Sequence, residues 1–167
     1  MMSILLKGIN TSLPYVDPRI SNKVAVSTTA ELPLPLQEAF SQVLWAVATQ
    51  LEKENKEIVG LPINCIFSDD DFFAILKTAD QKAICMKIAF YPLKDLLPVL
   101  EKDAMYLFLA EELCHLIWDI SDETEVNIKV LAVLRNINLD LQMSDLYAED
   151  TVRSCLRWLQ DHPAFQL

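Results

Sequence analysis

The sequence predicts an α+β domain, and three observations carry that prediction. One long amphipathic helical pattern opens the ordered part of the chain. A cluster of short segments rich in Ile and Phe follows it, and helical periodicity then returns and holds almost to the C-terminus. The chain has 167 residues, 52% of them hydrophobic, enough for one domain with a substantial core.

Residues 1 to about 33 read as irregular, with Pro14, Pro18, Pro33 and the polar run "STTAE", although "SNKVAVS" (21–27) can add a short strand. From Leu34, "LPLQEAFSQVLWAVATQLEKENKE" places Leu36, Phe40, Val43, Leu44, Val47 and Leu51 at helical spacing, with Pro35 in the first turn. Three strands are then expected, "LPINCIFS", "DFFAILKT" and "KAICMKIAFY", separated by turn-like "DDD" and "ADQ", the last two forming a hairpin. This gives a small three- to four-stranded sheet, mixed or antiparallel. After Pro92, "LKDLLPVLEKDAMYLFLAEELCHLIWDI" is helical and broken by Pro98. "SDETEVNIKVLAVLRNI" and "AEDTVRSCLRWLQDH" give two further helices. The expected organisation is an irregular segment 1–33, a motif-bearing core 34–135 and a helical extension 136–167.

Charge narrows the function classes. With 24 acidic against 14 basic residues the formal net charge is −10, and no Lys/Arg cluster exists to displace counterions from a phosphate backbone, so no nucleic-acid partner is expected. No stretch approaches the ~20 apolar residues of a membrane helix, and the first residues lack a secretory pattern, so no membrane partner and a cytoplasmic location are expected. Cys65, Cys85, Cys114 and Cys155 are widely spaced with no C-x-x-C pair, the pattern of buried free thiols. Two glycines leave no phosphate loop, and the three aspartates in "SDDDFF" lack the alternation and glycine of a calcium loop. The acidic surface and a sheet edge suggest a peptide or protein partner, or self-association into a homo-oligomer.

The chemistry-bearing stretch is "LFLAEELCHLIWDISDETEVN". Glu111 and His115 are i and i+4 neighbours on one helix face, and Glu112 lies three residues before His115. Metal hydrolysis uses this arrangement, with two ligands four apart and a carboxylate beside them to take a proton from bound water. The flanks are almost wholly apolar, and buried carboxylates are costly unless paired, hydrogen-bonded or bound to metal. Competing readings exist for each residue. Glu111 and Glu112 also fit a solvated stripe, His115 a half-buried core histidine, and Asp122 with Glu125 the D-x-x-E spacing of a helix N-terminus. Trp118, Trp45 and Trp158 fit apolar helix faces, and His162 fits the surface.

"AEELCHLIWDISDETEVNIKVL" resembles the active-site segment of the minigluzincins, small gluzincin-type (zincin) metallopeptidases. Their pattern is A-H-E-x-x-H, a tryptophan three residues on, an acidic turn, and a following helix with a glutamate ligand. The likeness spans roughly residues 35 to 135 in element order and 110 to 130 in motif. It implies that His115 is a metal ligand, that Glu112 is the catalytic general base, and that Glu125, or alternatively Glu123, is the downstream ligand. Glu111 stands where the family has its first histidine. A second carboxylate leaves a bound water less acidic and shifts preference toward harder metals. The expectation is therefore a metallopeptidase-like scaffold with a degenerate metal site, with either no cofactor or a zinc ion, acting as a non-catalytic, regulatory or binding protein. The alternative is an active metal-dependent hydrolase using Glu111, His115 and Glu125 as ligands. A di-iron carboxylate protein built on Glu112-x-x-His115 is the remote alternative, and it needs a second E-x-x-H that the chain lacks.

Overall fold

A 20-residue helix between two strands returns the chain to the end from which it started, so the second strand runs parallel to the first. The computed structural model describes residues 13–70, 86–165 and 167, and its architecture follows from that connection. Strand β1 (Val24–Thr28) leads into helix α1 (Leu34–Lys53), then strand β2 (Ile63–Ser68). Strand β3 (Lys87–Pro92) passes directly into α2 (Leu93–Leu96) and a 3₁₀ turn at Leu97–Val99. Helices α3 (Asp103–Ile117), α4 (Glu123–Leu134), α5 (Met143–Leu146) and α6 (Glu149–Asp161) complete the chain.

The α+β class holds, and the sheet corrects the expected strand direction. Its order is β1-β2-β3 and both pairings are parallel, with Val24 opposite Ile63 and Ile63 opposite Lys87. The alternation of apolar residues reports a half-buried strand but not the direction of its neighbour, which the connection sets. The "SNKVAVS" strand forms as β1. The expected strand 71–78 and its hairpin with 82–91 lie largely outside the described residues, and β3 is the described part of that last segment.

Central β2 is buried at all six positions, as parallel strands covered on both faces are. On one face Ile63, Cys65 and Phe67 join Ala89 and Tyr91 against α1, whose Leu36, Phe40, Val43, Leu44, Val47 and Leu51 are all buried as their spacing predicted. Phe40 meets Phe67 edge-on at 4.9 Å and Tyr91 at 5.5 Å. Helix α4 buries eight residues around its circumference, the pattern of a helix surrounded by protein. Val126, Val130 and Val133 face the main core, while Ile128 and Leu131 face Met143 of α5 and Cys155 of α6.

Trp45 is a second correction, because it is 46% exposed. At 100° per residue it shares the outer side of α1 with Ser41, Gln42 and Thr49, not the buried stripe. Pro98 breaks the helical run as expected, and α3 starts five residues later. Among the described residues, no helix is long and apolar enough to cross a membrane.

Candidate metal centre at the α3–α4 edge

Helix α3 buries Met105, Leu109, Ala110, Leu113, Cys114 and Ile117, which leaves Glu111, Glu112 and His115 half-buried along its rim. The helix ends in a tight reversal. Trp118 is the last half-helical residue, Asp119 takes a left-handed backbone at φ 52°, and the Ile120 N–H donates back to the His115 carbonyl at 3.1 Å. This is the Schellman closure, with an aspartate at the position glycine usually fills and a buried apolar residue behind it. The closure also sets the histidine. His115 Nδ1 lies 2.6 Å from the Ile120 carbonyl oxygen. A carbonyl only accepts, so Nδ1 carries the proton and Nε2 of the neutral ring keeps its lone pair.

The reversal delivers the chain to α4, whose N-cap is Asp122. Its carboxylate accepts from the Glu125 N–H at 3.0 Å, the role its spacing predicted. Capping at 122 makes Glu123 the first helical residue, and it is Glu123 that joins the α3 pair. His115 Nε2 lies 3.7 Å from Glu123 Oε1 and 4.0 Å from Glu111 Oε1. Among the described residues these three form a group whose ligand atoms all lie within 4.8 Å of one another. Glu125 stands outside that group, and its known contact is the cap. Of the two downstream glutamates, the structure thus brings the alternative, Glu123, to His115.

The donor set fits a divalent cation. Bonds of ~2.0–2.1 Å in tetrahedral geometry put ligand atoms about 3.4 Å apart. The two carboxylates therefore need to draw in by roughly 1 Å or less from His115, and their side chains, 41% and 73% exposed, are free to do so. The present spacing is too long for hydrogen bonds from Nε2 to either carboxylate. A histidine whose second nitrogen donates to a backbone carbonyl is the usual outer-shell arrangement of a metal ligand.

Burial and like charge both act on the acids of this edge. Burial pushes the Glu111 carboxyl up, and the Glu123 charge adds to this while His115 opposes it. Glu112 is also pushed up, first by burial, with His115 lowering it and the two neighbouring glutamates raising it. The charges of the two carboxylates reach different tyrosines. After burial, the Glu112 charge is among those that raise the Tyr91 phenol on β3, and the Glu111 charge raises Tyr147, just after α5. Tyr147 donates to the Asn127 carbonyl at 3.1 Å. Sequence reasoning did not single out Tyr147 or the Ile120 carbonyl. Neither belongs to a motif, and a backbone acceptor leaves no residue signature.

Behind the reversal lies a second polar group. The Trp118 indole donates to Glu54 Oε1 at 3.2 Å, and Lys129, 6% exposed, bonds both Glu54 oxygens at 3.0 and 3.1 Å. Burial raises Glu54, but hydrogen bonds from Gln50, Lys129 and Trp118 outweigh it and leave the carboxyl below its usual range. The helix α1 end that positions Glu54 closes in the same way as α3, with Asn55 at φ 53° and Lys56 N–H on the Leu51 carbonyl.

Cys65, Cys114 and Cys155 are buried free thiols as expected, while Cys85 lies outside the described residues. His162 is exposed and stacks on Trp158 at 3.8 Å. An open cavity of about 630 Å³ beside Arg19, Lys23 and Lys56 contains none of the predicted site residues. Its cations already have partners: Arg19 pairs with Asp17 and Glu52, Lys23 donates to the Gly60 carbonyl, and Lys56 lies near Glu54. Comparisons of the chain with known protein families, characterised proteins and solved structures return no match.

Proposed function

We propose that this protein is a non-catalytic binding module on a metallopeptidase-like, zincin-like scaffold. Its degenerate site keeps a grip on a divalent cation without the peptidase chemistry. The observation that supports this is the His115 clasp, with Nδ1 held by the Ile120 carbonyl and Nε2 turned toward Glu111 and Glu123. A bound cation supplies a concentrated positive charge joining α3 to α4, and an open coordination position for a peptide carboxylate or carbonyl. Glu111 and Glu123 neutralise most of that charge, which leaves a bound water poorly acidic and argues against hydrolysis. A peptide or protein partner fits such a site better than a substrate to be cleaved. The raised carboxyl of Glu112 favours a second reading, an active hydrolase in which Glu112 is the general base.

Calorimetric titration with Zn²⁺ and Mn²⁺ tests the proposal. One equivalent should bind to the wild type, with affinity falling about tenfold or more in His115→Ala and Glu123→Gln. Glu125→Gln should bind as the wild type does, and Glu111→His should gain zinc affinity. A wild type that takes up no metal, or a Glu125→Gln variant that loses it, defeats this assignment. Peptide hydrolysis by the wild type that vanishes in Glu112→Gln replaces it with the hydrolase.

A further inference from the structure

The reversal after α3 touches two things at once, the metal centre in front and the Glu54–Lys129 pair behind. His115 and Ile120 are joined by two hydrogen bonds, so the ring and the reversal move as one body. Trp118, inside that reversal, bonds Glu54 with its indole and places its ring 5.0 Å from the Lys129 ammonium. The same ammonium lies 5.1 Å from the centre of the Phe165 ring. Phe165 belongs to the segment after α6 and packs edge-on against Trp158 at 5.4 Å. Lys129 is thus a buried cation held by one carboxylate and two aromatic faces, one of which is supplied by the C-terminal segment.

Helix α4 completes the connection, because Glu123 is its first residue and Lys129 lies six residues on along the same rod, about 9 Å away. A cation that holds the Glu123 carboxylate beside His115 ties the first turn of α4 to α3. It also fixes the His115–Ile120 clasp, and with it Trp118. Both ties reach the slot that holds the Lys129 ammonium. We propose that the α3–α4 reversal couples the Glu111–His115–Glu123 cluster to the C-terminal segment, so that a divalent cation in the cluster and Phe165 seated on Lys129 favour each other. This rests on the cation-site reading above. Linkage requires that such a coupling be reciprocal.

The test uses the full chain with Zn²⁺ or Mn²⁺ alone as probe. Affinity is measured for the wild type, for Phe165→Ala and for an exposed control, Arg157→Ala, and amide exchange is followed with and without metal. Phe165→Ala should weaken binding about fivefold or more while Arg157→Ala leaves it unchanged. Metal should slow exchange in residues 158–165 of the wild type, although none of them is a ligand. Phe165 lies near the chain end, and circular dichroism will verify that its replacement keeps the fold. If the wild type binds metal but Phe165→Ala binds equally well and C-terminal exchange is unaltered, the coupling is wrong and the cation site stands. If the wild type binds no metal, both fall.

Discussion

Asp119 holds a left-handed backbone at φ 52° on an exposed position, and its conformation closes α3. A residue with a Cβ pays roughly 1 kcal/mol there, somewhat less for aspartate than for most, and glycine none. Asp119→Gly should therefore stabilise the protein by about 0.5–1 kcal/mol, a melting temperature higher by about 1–3 °C for a chain of this size. Asp119→Val should lower it, and a glycine variant that melts no higher than the wild type would remove the strain argument. The same residue-scale geometry explains which part of the candidate site was legible. The i, i+4 spacing of Glu111 and His115 fixes their shared face in any helix. The choice between Glu123 and Glu125 was not legible from spacing to the motif, because both fall in the first turn of α4. Two residues apart on a helix is about 200°, so only one can face α3. The Asp122 cap decides it, engaging the Glu125 N–H and starting the helix at Glu123.

At the scale of elements, the helices were legible and the sheet was not. Helix α1 announces its buried face through six residues at helical spacing, all of which the structure buries. Strand direction has no such signature, since a period of two looks the same beside a parallel or an antiparallel neighbour. It is the crossover through α1 that aligns β1 with β2. Trp45 shows the complementary error: a large apolar residue invites burial, but its angle on the helix belongs to the polar side. A pair of truncations separates these effects. Phe40→Ala removes a fully buried ring that touches Phe67 and Tyr91, and should cost about 3–5 kcal/mol in chemical denaturation. Trp45→Ala should stay within about 0.5 kcal/mol of the wild type. Comparable losses from both would place Trp45 in the core and contradict the orientation of α1.

For the whole molecule, the carboxylates divide into two groups that act on stability in opposite directions. Glu54 is held below its usual range because hydrogen bonds from Gln50, Lys129 and Trp118 outweigh its burial. Asp17 is lowered mainly by its hydrogen bond from Arg19, with burial opposing. Acids lowered in the folded state bind fewer protons there than in the unfolded chain. Their contribution is complete above the ordinary carboxylate range and is lost as pH falls through their folded values, below roughly pH 4. Glu111 and Glu112 are raised, so the folded state holds their protons more tightly. Their contribution is present below the ordinary range and disappears as pH rises from about 4.5 through their folded values. The net charge of −10 adds self-repulsion in that same upper window. Stability of the metal-free chain should therefore peak in weakly acidic solution and decline toward neutrality. Glu112→Gln should flatten the decline on the upper side, and Lys129→Met should move the acid limb of the same profile while costing about 3 kcal/mol at the peak, because Glu54 loses its buried cation and keeps only the exposed Lys56 at 3.7 Å. Urea midpoints measured from pH 3 to 8 read all of this. A profile that instead rises steadily to pH 7, unchanged by Glu112→Gln, would show that the rim carboxylates are solvated and that burial exerts no hold on them.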